Sequence, residues 1–357
     1  MRRTGKTNIR AVAEAAGVSP ATVSRALHGN ASVNEELVQR VLSAARSLGY
    51  PVDNRAKKNI VFIMPGVSDN YYARTLTGVI DTVVPLGYRM QIMLSNSDPE
   101  QELTCLRDAC VPETAGIIIA PVTNSDPRLA ALGLANIPMV VTGPRYLGEG
   151  LVHVHLDNIE AAYQSTRYLL RLGRKKVAFI VYYWARHIRT YEEFVREYNE
   201  AHPGCFTAYD RYTGYCRALE EAGLEPDPSL LVFGGMSYES GYDCAQQLLR
   251  ADTDFDAVIV PNDRCGAGVL RALQAQGFHV PSQVSLICLN SGLIAKMVSP
   301  TLTSMASSEY EIGQNCANQL LRLIDGEPAQ SVVIAPKLLI ENSTQVSDRS
   351  GLKRETI

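Results

Sequence analysis

From Ile60 onward the chain alternates short, uninterrupted apolar runs with stretches of helical period, and this rhythm constrains the fold more than any other feature. IVFIMPG, RMQIMLSN, AGIIIAP and IPMVVTG come first, and KKVAFIVY, SLLVFGG, FDAVIVPND and QVSLICLN follow. Helical segments such as ARTLTGVIDTVVPLG and RYTGYCRALEEAG separate them. A strand that is apolar at every position must be covered on both faces, which is the condition of a parallel sheet flanked by helices. The rhythm restarts after Asp157-Asn158, so the expectation is two similar α/β lobes within residues 60–345. The first takes about 60–157 and 307–326, the second about 158–306 and 327–345, and the polar stretch 346–357 is read as a loose tail.

The 357 residues exceed one ordinary domain, and 46% hydrophobic with 20% charged residues excludes a disordered chain. No apolar run approaches the roughly 20 residues of a membrane span, and MRRTGKTNIR leads into no apolar segment. The expectation is a cytoplasmic protein without a membrane partner. Eight scattered cysteines with no CxxC pair are read as reduced thiols.

The net charge of −3 hides a division: residues 1–58 hold 10 Lys and Arg against 4 Asp and Glu, while the remainder holds 24 against 33. Within this basic head, Ile9, Val12, Ala13 and Ala16 recur at helical spacing before Gly17 stops the run. Ser19 caps a second helix with Pro20 at its first position, and a third starts at Asn34 with Leu37, Val41, Ala44, Ala45 and Leu48 as its buried stripe. Three short helices make a helix-turn-helix unit over residues 1–51. The second helix leaves Pro20, Ala21, Thr22, Ser24, Arg25 and His28 outside, a small, hydroxylated and cationic face suited to the major groove of double-stranded DNA. Arg25 has the fork for guanine O6 and N7, and Thr22 and Ser24 suit phosphate oxygens.

The run VAEAAGVSPATVSRALHGNASVNEELVQRVLSAARSLGY resembles the DNA-binding domain of the LacI/GalR family of bacterial repressors along all three helices. The resemblance implies base reading by Pro20, Ala21 and Arg25. Family members usually continue with a hinge helix whose Leu contacts the minor groove, but the linker 52–59 has no such Leu. Arg55 and Lys57 can track phosphates as an arm, or can belong to a plain solvated linker; both readings stand.

Ligands of open parallel sheets bind beyond the carboxyl ends of the strands. Tyr71, Tyr72, Met236, Asp263 and Asn290 follow strands there, and such rings, carboxylates and amides suit a sugar or related polyol. Each aromatic can equally pack a loop. The stretches DNIEAAYQSTRYLLRLGRKKVAFI, PNDRCGAGVLRAL and GFHVPSQVSLICLNSG resemble the effector-binding domain of the same family, itself similar to periplasmic sugar-binding proteins. The resemblance makes Arg211, three residues before Gly214, the effector arginine and matches Asp263 to the family's Asn-Asp motif. Asn290 stands where the family usually has Asp, which turns the expectation away from a cationic effector. The implied fold is a small all-α helix-turn-helix domain followed by an α/β two-lobed periplasmic-binding-protein-like domain with parallel sheets.

Between KKVAFIVY and Arg211 lies an insertion, with Thr190 and Glu193 as a capping box and Tyr191, Phe194, Val195 and Tyr198 as an apolar stripe. It can cover the site or stand away from it. Gly5-Lys6-Thr7 lacks the upstream glycine and strand of a phosphate loop, and neither GxSxG nor HExxH occurs. His153 and His155 are read as strand packing, so no metal, cofactor or enzyme activity is expected. The function expected is a sequence-specific transcriptional regulator, a repressor under small-molecule control. One recognition helix reads few base pairs, which implies a homodimer on a palindromic operator. The alternative is a sugar-binding protein whose head no longer reads an operator.

Overall fold

The computed structural model describes residues 8–27, 34–48, 59–66, 70–122, 137–143, 150–182, 190–200, 207–251, 253–306 and 308–346. In the head, α1 (Ile9–Ala16) is capped by Asn8, whose side chain accepts from Arg10 N and Ala11 N, and is stopped by Gly17 at φ +64°. Ser19 Oγ accepts from Thr22 N at 3.1 Å and so starts α2 (Pro20–Leu27). Asn34 accepts from Glu36 N at 3.0 Å and starts α3 (Glu35–Ser47). Val12, Val23, Val41 and Ala45 meet in one buried centre. Leu48, expected on that stripe, lies just past α3 and is 38% exposed, because the helical turn that would carry it inward has ended.

Two six-stranded sheets follow among the described residues. The first has the order β11-β5-β4-β3-β1-β2, from β1 (Asn59–Met64), β2 (Arg89–Leu94), β3 (Thr114–Ile119), β4 (Met139–Thr142), β5 (Val152–Leu156) and β11 (Val332–Ile334). The second has the order β12-β10-β9-β8-β6-β7, from β6 (Val177–Tyr182), β7 (Leu231–Gly234), β8 (Ala257–Val260), β9 (Ser285–Cys288), β10 (Thr303–Met305) and β12 (Leu338–Leu339). All ladders are parallel except β10 with β12.

Most of the apolar runs are covered on both faces as expected, but the edge strand β2 is not: it stays largely exposed, with Ile92 at 44%. Ile60, Phe62 and Met64 point into one core and Val61 and Ile63 into the other, on opposite faces of β1. In the second sheet Ala178 and Ile180 separate from Val177, Phe179 and Val181 in the same way. Helices α4 (Asn70–Val83), α5 (Pro99–Ala109) and α12 (Glu309–Ile324) belong to the first lobe; α6 (Asn158–Arg171), α7 (Tyr191–Glu200), α8 (Thr207–Glu221), α9 (Tyr238–Arg250), α10 (Asp263–Ala275) and the short α11 (Ile294–Met297) belong to the second.

One lobe boundary is corrected. Residues 327–345 were expected wholly in the second lobe, yet Val332–Ile334 pairs with β5 in the first sheet and only Leu338–Leu339 joins the second. Three-residue and two-residue strands are too short for hydrophobic pattern to assign them a sheet.

The helix pairs approach so closely that glycine is required at the crossings. A Cβ on Gly313 of α12 would run into the Thr75 carbonyl oxygen of α4, and one on Gly78 into that of Tyr310. Gly313→Ala should therefore lower stability by about 1–3 kcal/mol through overpacking. Chemical denaturation of the full-length variant checks this; an unshifted midpoint would show that the α4–α12 pair separates at no cost.

Candidate functional site

On α2, Pro20, Ala21 and Arg25 are exposed and Thr22 and Ser24 half-buried, while Val23, Ala26 and Leu27 face the head's core. The described part of the expected reading face thus lies away from the head's core on one helix. Arg25 Nε donates to Ala21 O at 3.3 Å, and the Ser19 and Thr22 hydroxyls share a hydrogen bond of 2.8 Å. Arg40 of α3 escaped the sequence reading. Its Nη2 donates to Ala16 O at 2.7 Å, bracing the turn that aims α2 from 24 residues away. His28, Arg55 and Lys57 lie outside the described residues, as does the 52–59 linker.

The second site gathers at the carboxyl end of the second sheet. Arg211 sits in the first turns of α8 and is buried, its Nε donating to Asn158 Oδ1 at 3.0 Å and its Nη1 to Pro261 O at 3.2 Å. Pro261 follows β8 directly. Asn262 then caps α10 by accepting from Cys265 N at 2.8 Å, and Asp263 Oδ2 accepts from Ala295 N at 3.2 Å. Asp263 thereby ties α11, which follows the loop carrying the half-buried Asn290, to the start of α10. Arg211 lines a cavity of ≈ 10 Å³ with Phe179, Tyr182, Thr207, Ala208 and Leu289, room for about one water. Met236 is half-buried in the loop between β7 and α9.

In the first lobe Tyr71 and Tyr72 open α4, edge to face with centroids 5.1 Å apart. Both rings pack against the first lobe's core. Burial pushes the Tyr71 phenol well above its ordinary pKa, with Tyr72 and Glu309 adding to the rise. Of the two readings of these aromatics, ligand stacking and packing, the packing one is seen here, from the first turn of α4 onto the lobe's core.

The insertion folds as α7 with its capping box formed: Glu193 N donates to Thr190 Oγ1 at 3.2 Å and Thr190 N to Glu193 Oε2 at 3.3 Å. Phe194 is fully buried against Tyr209, Tyr212 and Phe233, with centroids 5.5, 5.0 and 5.5 Å away. Tyr198 and Thr213 share a hydrogen bond of 2.9 Å. The inserted helix thus braces α8, the helix that carries Arg211.

Other chemistry is quiet. The His153 and His155 rings stack on β5 at 4.9 Å. Among the described residues no group of three metal-ligating side chains occurs and no helix is long and apolar enough to cross a membrane. Burial pushes the thiols of Cys216 and Cys244 up to about 11 and that of Cys316 up to about 12, so they stay protonated.

Residues 8–52 match the bacterial regulatory proteins of the lacI family, and residues 166–344 match the periplasmic binding protein-like domain. The chain belongs to the LacI family of transcriptional regulators. It is 29% identical over 326 residues to the transcriptional regulator RegA of Clostridium saccharobutylicum, spanning 89% of this chain and 93% of RegA. It is 29% identical over 345 residues to the repressor CytR of Escherichia coli K12, spanning 94% of this chain and 95% of CytR. The solved structure of a transcriptional regulator CelR–cellobiose complex superposes with a TM-score of 0.67 at 26% identity, covering 95% of this chain and all of that one. These relatives are regulators rather than enzymes, and so is this LacI-family chain: a helix-turn-helix DNA-binding head on a two-lobed ligand-binding domain.

Asn158, the side-chain partner of Arg211, is a residue that motif reading missed in the regulator's second lobe. The signal was present: Asp157 already supplies the cap of α6, accepting from Glu160 N at 2.9 Å, so the polar residue after it is surplus to capping.

Proposed function

We propose that this regulator is a repressor whose grip on a palindromic operator is set by a neutral polyhydroxylated small molecule, a sugar or close relative. Arg211, Asp263 and Asn290 hold the effector, with Tyr71, Tyr72 and Met236 completing its surroundings. The observation that carries this reading is the buried Arg211, a charged fork anchored at both Asn158 and Pro261 where the second sheet ends. A fixed guanidinium presents donors to sugar hydroxyls, and the Asn290 amide both donates and accepts without charge. The CelR–cellobiose complex supports the sugar class. Pro20, Ala21 and Arg25 read bases, Thr22, Ser24, His28, Arg55 and Lys57 follow the backbone, and the regulator works in the bacterial cytoplasm.

The effector assignment is tested by a thermal-shift screen of neutral sugars that includes cellobiose, followed by calorimetry. Arg211→Ala should cost a few kcal/mol of affinity for the sugar found, because ligand acceptors lose their partner, while operator binding without sugar persists. Unchanged affinity in a folded variant would place the effector elsewhere.

For the head, Arg25→Ala should cost about 1–3 kcal/mol at one operator base pair and less on random DNA. Equal losses on both DNAs, in gel-shift titrations, would make Arg25 a phosphate contact.

The regulator also pairs with a second copy through its body, with the first lobe supplying much of the contact, since two heads must face two half-sites. The exposed Ile92 on the edge strand β2 and the exposed Leu86 in the turn just before it support that face. Sedimentation at micromolar concentration should show a dimer; a monomer both with and without operator DNA would refute it.

A further inference from the structure

One side chain joins Arg211 to the first lobe. Asn158 is the first residue of α6, buried, and it stands directly after the peptide where the chain crosses from the first sheet into the second lobe. Its Oδ1 accepts from Arg211 Nε at 3.0 Å, and its Nδ2 donates to Leu156 O at 3.3 Å. Leu156 ends β5, where it pairs with Ile334 of β11. Asp157 N donates to Ile334 O at 3.0 Å, so the crossover peptide is itself the last rung of the first sheet. A continuous path of hydrogen bonds therefore runs from the guanidinium on α8, through one planar amide, to the backbone of the other lobe.

The path is held in register by a backbone contact. Gly214, one turn beyond Arg211, lies so close to α6 that a Cβ there would run into Ile159 O, next to Asn158, and would come within 2.8 Å of Tyr163 N. The residue type at 158 also fits. An amide accepts at one end and donates at the other, whereas a carboxylate has nothing to donate to Leu156 O and an alkyl group does neither. The Asp157 carboxylate stays outside the path, occupied by the α6 amide of Glu160.

We propose that Asn158 is a positioning residue that fixes the Arg211 guanidinium and passes its state to the crossover between the lobes. This rests on the reading of Arg211 as the effector arginine. Drawing Arg211 toward a bound molecule turns the rigid Asn158 amide, and the same rotation changes its hold on Leu156. The coupling acts through a bond that both lobes share, and an effector shifts the lobes only by what it changes in such contacts.

The test is ligand-free amide hydrogen exchange on the full-length protein, followed in the peptide spanning residues 155–160. Arg211→Met and Arg211→Leu, which have no side-chain N–H donor, and Asn158→Leu should each speed exchange at the crossover by roughly fivefold to tenfold, the factor one ordinary hydrogen bond is worth. The Arg211→Met, Asn158→Leu double variant should exchange no faster than either single variant. Wild-type exchange in both Arg211 variants, alongside fast exchange in Asn158→Leu, would reduce Asn158 to a local helix start and overturn the proposal. If Asn158→Leu does not fold, Asn158→Ser and the Arg211 variants decide the question. Sugar affinity of Arg211→Ala is a separate measurement, so failure of the effector reading and failure of this coupling are distinct results.

Discussion

A parallel sheet has to be roofed on both faces, because its crossover helices must go somewhere and its strands are apolar on each side. In this chain that requirement applies twice, to two sheets of six strands. Ile60, Phe62 and Met64 commit one face of β1 to α4 and α12, and Val61 and Ile63 commit the other to α5. With the faces occupied, the loops at the carboxyl ends of the strands are the places left for polar groups to converge. The same crowding brings the α4–α12 and α6–α8 pairs into backbone contact, where only glycine fits.

The residues proposed to hold the effector are consequently structural as well. Asp263 holds Ala295 N, Asn262 caps α10, and Arg211 spans Asn158 and the β8 exit. These bonds fix the β8 exit and the short α11 against helix starts. The inserted α7 adds to this rigidity from outside. Its Phe194 fills an aromatic pocket on α8, so the helix bearing Arg211 is clamped between α6 on one side and an extra layer on the other.

The head obeys more local rules. Its caps, Asn8, Ser19 and Asn34, its αL glycine Gly17 and its few buried aliphatics suffice to set three helices. The exception is Arg40, whose bond to Ala16 O connects positions too far apart for any periodic pattern to join.

Caps, turn glycines and uniformly apolar strands are local properties, so the three head helices, the two α/β lobes and even the Thr190–Glu193 capping box could be read from residue order. Tyr71, Asp263 and Asn290 were placeable after strands for the same reason: the end of an apolar run is visible in the chain itself, whereas Arg211, inside α8, was placed by the family resemblance. What needed the tertiary structure was everything settled between segments distant in sequence. Val332–Ile334 joins the first sheet, Phe194 docks on α8, and Asn158 meets Arg211 across 53 residues. Short strands carry too little pattern to choose a sheet, and a hydrogen bond between remote side chains depends on how closely two helices pack. At α6 and α8 that spacing is set by the absence of a single Cβ on Gly214.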